Sequence, residues 1–208
     1  WSIAEYSDNM FYIATDKGLY SYNSKTQKTV YLFRPTDSQE YLSDDSIVNL
    51  KADKNNNLWM GTFSNGALYW SPDNALFTNI FNVRGGRQKK VLSHNHVLSF
   101  HQQVENSLWI GTQNGLTHYD LKTGESTFFL EAKTEKPNDS LSSIENILPA
   151  GDSALWIFRA DGLIQFDTSL KQIISISSEK GNADETFSRY FSGGQSDKQK
   201  NLYLLSES

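Results

Sequence analysis

The chain has 208 residues, with Lys+Arg 19 against Asp+Glu 24 and a net charge of −5, and its aromatic fraction of 13% argues against intrinsic disorder, which goes with few aromatics. No apolar run approaches the roughly 18 residues that a membrane helix needs. The mildly acidic balance gives no support for nucleic acid or an anionic membrane as a partner, and the absence of cysteine excludes disulfides and thiolate chemistry.

In chain order, residue 1 is Trp rather than Met and no signal peptide precedes it, so the sequence is expected to begin inside a longer protein. A short run, Phe11-Tyr12-Ile13-Ala14-Thr15, leads into Gly18-Leu19-Tyr20-Ser21-Tyr22. Ile47-Val48-Asn49-Leu50 comes next, and after the polar stretch Asp53 to Asn57 it gives way to Leu58-Trp59-Met60-Gly61-Thr62 and then Phe63-Ser64-Asn65-Gly66-Ala67-Leu68. Val97-Leu98-Ser99-Phe100 precedes Leu108-Trp109-Ile110-Gly111-Thr112, followed by Gln113-Asn114-Gly115-Leu116-Thr117-His118-Tyr119-Asp120 and by Thr127-Phe128-Phe129-Leu130. Ile144 to Leu148 precedes Leu155-Trp156-Ile157-Phe158 and Gly162 to Asp167, and Asn201 to Leu205 is a truncated last copy. The aromatic anchors Tyr12, Trp59, Trp109, Trp156 and Tyr203 stand 47, 50, 47 and 47 residues apart.

Each copy reads as β. The runs are short, rich in aromatic and aliphatic residues, and bounded by turn residues, with Asn supplying the left-handed conformation that tight hairpins need. Four short antiparallel strands fit each repeat of about 47 residues, a period typical of propeller blades. Alternation puts Leu108, Ile110 and Thr112 on one face and Trp109 and Gly111 on the other. Both faces are apolar or small, so the strand is expected to be covered on both sides, with the anchors in the core and the glycine leaving room for an aromatic ring from the next blade. The fold expected is all-β, a β-propeller of four-stranded antiparallel blades. Blades are expected at 1–35, 36–82, 83–131 and 132–177, with a partial fifth at 178–208, as an incomplete part of a ring of about seven blades.

Leu108 to Asp120 resembles the two-component regulator propeller repeat, whose hallmark is Leu-Trp-Ile-Gly-Thr followed by Gly-Leu and an aromatic. Leu58 to Leu68 matches it with one extra turn residue, while Ala14 replaces the glycine in the first copy and Phe158-Arg159 replaces Gly-Thr in the fourth. Glu185 to Arg189, with Tyr203 beyond, looks like the atypical repeats found late in such modules. The resemblance implies the extracytoplasmic, periplasmic sensor of a hybrid two-component kinase or a membrane-bound diguanylate cyclase. It also implies a membrane helix and output domains outside this segment, and a homodimeric receptor.

Catalytic patterns are lacking. His94 and His96 would share a strand face if a strand began there, but zinc would need a third ligand and a second shell. No Gly-x-Ser-x-Gly elbow occurs, and Gly85-Gly86 lacks the rest of a phosphate loop. No catalytic residue, metal or cofactor is therefore expected.

Binding is more legible. In a meander the loop between strands two and three lies at the same end as the connection between blades, and loops on a rigid scaffold concentrate binding residues. That end takes Asp16 and Lys17, Phe63 to Asn65, Gln113 and Asn114, Arg159 to Asp161, and the connections Pro35–Asp44, Asn82–His96, Ala132–Leu141 and Glu179–Glu185. The candidate ligand-binding residues are Phe63, Asn65, Arg84, Arg87, His94, His96, Gln113, Asn114, Arg159 and Asp161. Phe63 would stack on a sugar ring or pack on an adjacent loop. The run Arg84 to Lys90 carries four positive charges; it would capture an acidic saccharide or another anion through Arg, or be a solvated loop. A sensor for a small molecule or oligosaccharide is the leading expectation. The alternatives are a protein-interaction propeller without a small ligand and a propeller lyase or hydrolase.

Overall fold

A computed structural model describes residues 2–15, 18–33, 46–53, 56–71, 76–82, 89–132, 142–159, 162–177, 191–196 and 202–206. β1 (Ser2–Ser7), β2 (Met10–Thr15), β3 (Gly18–Asn23) and β4 (Lys28–Phe33) form the first sheet in chain order. The second is β5 (Ile47–Ala52), β6 (Leu58–Thr62), β7 (Ala67–Ser71) and β8 (Leu76–Ile80). The third is β9 (Val97–Val104), β10 (Ser107–Thr112), β11 (Gly115–Asp120) and β12 (Ser126–Phe129), and the fourth is β13 (Ile144–Pro149), β14 (Ala154–Arg159), β15 (Gly162–Asp167) and β16 (Gln172–Ser177). β17 (Phe191–Ser196) pairs with β18 (Leu202–Ser206). Among the described residues there is no α-helix, and the first four sheets are four-stranded antiparallel propeller blades.

The expected strands coincide with the observed ones at each anchor. The turns follow from local chemistry. Between β5 and β6, Asn56 adopts φ 61°, and the Asp53 carboxylate accepts hydrogen bonds from the Asn57 amide at 2.9 Å and from its side-chain nitrogen at 3.0 Å. The first strands of three sheets share one irregularity. Register shifts between Ile47 and Asn49 in β5, Ile144 and Asn146 in β13, and Phe191 and Gly193 in β17, a bulge just past the first residue each time.

The chain divides into two compact units, Trp1–Phe100 and His101–Ser208. In the first, Tyr12, Ala14 and Leu19 pack with Ile47, Leu50, Leu58, Met60 and Leu68. All five residues of β6 are buried, because the even face meets this cluster while Trp59 faces Phe100 at 6.2 Å between ring centroids. Gly61 has the role expected of it. A Cβ there would stand 2.8 Å from the Val97 carbonyl oxygen and 3.3 Å from the Phe100 ring.

In the second unit, Trp109, Leu116, Ile144, Ile147, Leu155, Ile157, Ile164 and Phe166 form one cluster. Of the five anchors expected in the core, Tyr12, Trp59 and Trp109 are buried and Trp156 is half-buried. Tyr203 corrects the expectation: it is 60% exposed, on a sheet whose described part has two strands and so offers its ring little cover. Residues 185–189, read as an atypical repeat, lie outside the described residues.

Candidate functional site

The meander fixes which loops meet. In the second sheet Ile47 pairs with Thr62 and Ala67 pairs with Ile80. The start of β5, the β6–β7 turn and the end of β8 therefore share one end of the sheet, as the sequence implied. The Phe63 amide donates to the Ser46 carbonyl at 3.2 Å, and the Gly66 amide donates to the Asn95 carbonyl at 2.9 Å. The turn is closed from inside by Thr62, whose hydroxyl donates to the Gly66 carbonyl at 2.9 Å and accepts from the Asn65 amide at 2.9 Å.

Two candidate residues come together here. Phe63 is 59% exposed, and its ring centroid lies 4.3 Å from that of the half-buried His96, with the planes inclined at 43°. His94 is exposed, and its Nδ1 accepts a hydrogen bond from the His96 amide at 3.0 Å, so this nitrogen carries no proton in this arrangement. Because β9 begins only at Val97, the two histidines precede the strand and do not share a strand face. Among the described residues no group of three or more His, Cys, Asp or Glu could hold a metal ion.

The remaining candidates are placed differently. The Asn65 side-chain nitrogen is buried, away from solvent. Asn114 is committed to the backbone, its Oδ1 accepting from the Ala132 amide at 3.0 Å and its own amide donating to Thr112 Oγ1 at 3.2 Å. Gln113 is exposed beside it, and Arg159 ends β14 with its Nε buried. Arg84, Arg87 and Asp161 lie outside the described residues, as do Asp16 and Lys17. So do the connections at 35–44 and 179–185, residues 83–88 of the connection Asn82–His96, and residues 133–141 of the connection Ala132–Leu141.

A polar pair absent from the sequence reading lies in the second unit. Ser107 Oγ is 2.8 Å from His118 Nε2, joined across β10 and β11, and the His118 ring lies against Trp109 at 4.5 Å between centroids. Only the strand pairing of Trp109 with His118, and of Ser107 with Asp120, brings these side chains to one face. Burial lowers the His118 pKa, Lys171 lowers it further, and Asp120 opposes them. Asp120 is itself held below the usual carboxylate range, first by the Thr123 amide and then by that of Lys122. Its Oδ1 accepts from both, at 2.8 Å each, so this carboxylate caps the β11–β12 turn.

The sign for stability follows from the lowered pKa. Below about pH 6.5 the unfolded chain protonates this imidazole while the folded chain resists, so the contribution is present at neutral pH and is lost as pH falls. The melting temperature is expected to drop more between pH 7.5 and 5 in the wild type than in His118→Gln. Equal drops in a scanning calorimeter would refute this role of His118.

Comparison with known proteins fits the blades to a class. Residues 41–64 match the family described as Two component regulator propeller. No curated protein matches the chain. Among solved structures, the chain is similar to the extracellular domain of BT4673 from B. thetaiotaomicron, described as a one component system, with TM-score 0.74 and 20% identity over 99% of this chain and 26% of that one. It is also similar to the extracellular domain of BT3049 from the same organism, described as a hybrid two component system, with TM-score 0.67 and 18% identity over 99% and 32%. Virginiamycin B lyase from Staphylococcus aureus shares the fold at TM-score 0.69 and 13% identity over 99% and 62%. The chain spans about a quarter to a third of the two extracellular domains. The sheets are β-propeller blades.

Proposed function

We propose that this region is the extracytoplasmic, ligand-sensing propeller of a bacterial two-component or cyclic-dinucleotide receptor. In this reading it lies in the periplasm, is joined to the membrane only through a helix outside the segment, and acts as a homodimer in the full receptor. The repeat and the likeness to extracellular domains support the class. The observation that carries the binding reading is the Phe63–His96 pair, an open aromatic surface held on a rigid turn. Such a surface stacks on the apolar face of a sugar ring or another small cyclic ligand, and sensing then requires only a differential affinity of about 1–3 kcal/mol between two receptor states.

A thermal-shift screen of the chain against oligosaccharides and small anions identifies a ligand by the rise in melting temperature. Phe63→Ala and His96→Ala are each expected to weaken that ligand about tenfold, or about 1.4 kcal/mol. Unchanged affinity in both variants would remove the pair from the binding surface. A protein-docking propeller is the second reading, favoured by exposed Leu170, Ile173 and Ile174 on and beside the edge strand β16. Under it no small ligand raises the melting temperature.

A further inference from the structure

Sequence reading places Asn82 and Asn95 in a connection and gives them no role. The structure joins them in a reciprocal pair. The Asn82 amide donates to Asn95 Oδ1 at 2.7 Å, and Asn95 Nδ2 donates back to the Asn82 carbonyl at 2.8 Å. The Asn82 side chain is used on the other side as well. Its Oδ1 accepts from the amides of Val91 at 2.8 Å and Leu92 at 3.0 Å, and its Nδ2 donates to the Leu92 carbonyl at 2.6 Å. One side chain thus satisfies three backbone groups ten residues away or nearer, which is what a backbone that leaves β8 and returns toward β9 requires once it is taken from water.

The same residues hold the β6–β7 turn. Asn95 carries the carbonyl that accepts the Gly66 amide at 2.9 Å, and the next residue, His96, is the one whose ring meets Phe63. Asn95 is therefore fixed by its side chain to the start of the connection and by its backbone to the turn that bears Phe63.

We propose that Asn82 and Asn95 are positioning residues for the Phe63–His96 surface: an amide clamp that closes the connection on itself and seats His96 against Phe63. This rests on the reading of that pair as a binding surface. The clamp needs both functions of each amide, acceptor and donor, so aspartate at either position replaces a donated hydrogen bond by a carboxylate facing a carbonyl oxygen. Neither residue need touch a ligand to set the geometry that a ligand meets.

The test uses the whole chain and needs no ligand. Its four histidines give four imidazole signals in a histidine-labelled NMR spectrum. Phe63→Ala identifies the ring-current shift that His96 owes to Phe63. Asn82→Ala and Asn95→Ala are expected to lose most of that shift while the His101 and His118 signals stay in place. A His96 signal that keeps its shift in the folded variants overturns the proposal. Hydrogen exchange of the wild type decides independently of how the variants fold. The amides of Asn82, Val91, Leu92 and Gly66 are expected to be protected and to open together, and exchange at unprotected rates would overturn the clamp. Failure of the binding reading looks different: Phe63→Ala and His96→Ala then bind an identified ligand as the wild type does, whatever the NMR result.

Discussion

Replacing Trp109 by alanine lowers the stability of the chain by about 3–5 kcal/mol, the range for removing a large buried aromatic side chain. The ring is 2% exposed, with Phe166 at 5.7 Å and Phe129 at 5.8 Å between centroids. Its Nε1 donates to Gln103 Oε1 at 3.1 Å, and Gln103 Nε2 donates onward to the Asp152 carbonyl and to Thr168 Oγ1, each at 2.9 Å. The substitution therefore opens a cavity and also frees one end of a link between the third and fourth sheets. Trp59 makes a useful contrast, since its buried Nε1 has no hydrogen-bond partner among the described residues. Phenylalanine should cost more at Trp109 than at Trp59, by about the 1 kcal/mol of a lost hydrogen bond. Urea unfolding of the three variants measures both, and a loss below about 1 kcal/mol for Trp109→Ala would contradict the packing argument.

Gly66→Ala is the second large effect. Gly66 has φ +79°, and a Cβ there would be driven into the Ile80 carbonyl oxygen, with Phe81 Cβ 2.9 Å away. Backbone strain of about 1–3 kcal/mol and overpacking of about 1–3 kcal/mol act together. Both atoms in the way belong to the chain leaving β8 and cannot rotate aside. Gly151 is the internal control, with φ +124° and nothing within 4 Å of the added methyl. Alanine there meets strain without a clash and should cost less by about 1–3 kcal/mol. Equal losses at the two glycines, read from denaturant midpoints, would show that the contact with Ile80 is relieved by movement of the turn.

What the sequence made legible was what repeats. The period of the anchors gave the sheets, the apolar or small residues of Leu58–Thr62 and Leu108–Thr112 gave strands covered on both faces, and the glycine of the motif gave room for an aromatic ring, which at Gly61 is that of Phe100. Meander geometry was enough to put Phe63 and the connection carrying His96 at one end. Tyr203 misled because an anchor is buried by its neighbours, and periodicity does not report whether they are there. Asn65 and Asn114 read as available polar groups, yet the side-chain nitrogen of one is buried and the other caps a neighbouring backbone, a choice set by a few ångströms of loop path. Ser107 and His118, 11 residues apart, meet only through the register of β10 and β11, and nothing in residue spacing announces it.

The bulge at the head of β5, β13 and β17 bears on how such a chain is built and rebuilt. An irregularity that recurs at the same place in three sheets is a feature of the repeat rather than of one copy. Anyone averaging the copies into an idealised, designable blade has to keep it. Deleting Val48 or Glu145 as an apparent insertion would leave the downstream pairs of Leu50 with Met60 and of Ile147 with Ile157 in register, and would displace instead the buried Ile47 or Ile144 at the head of the strand.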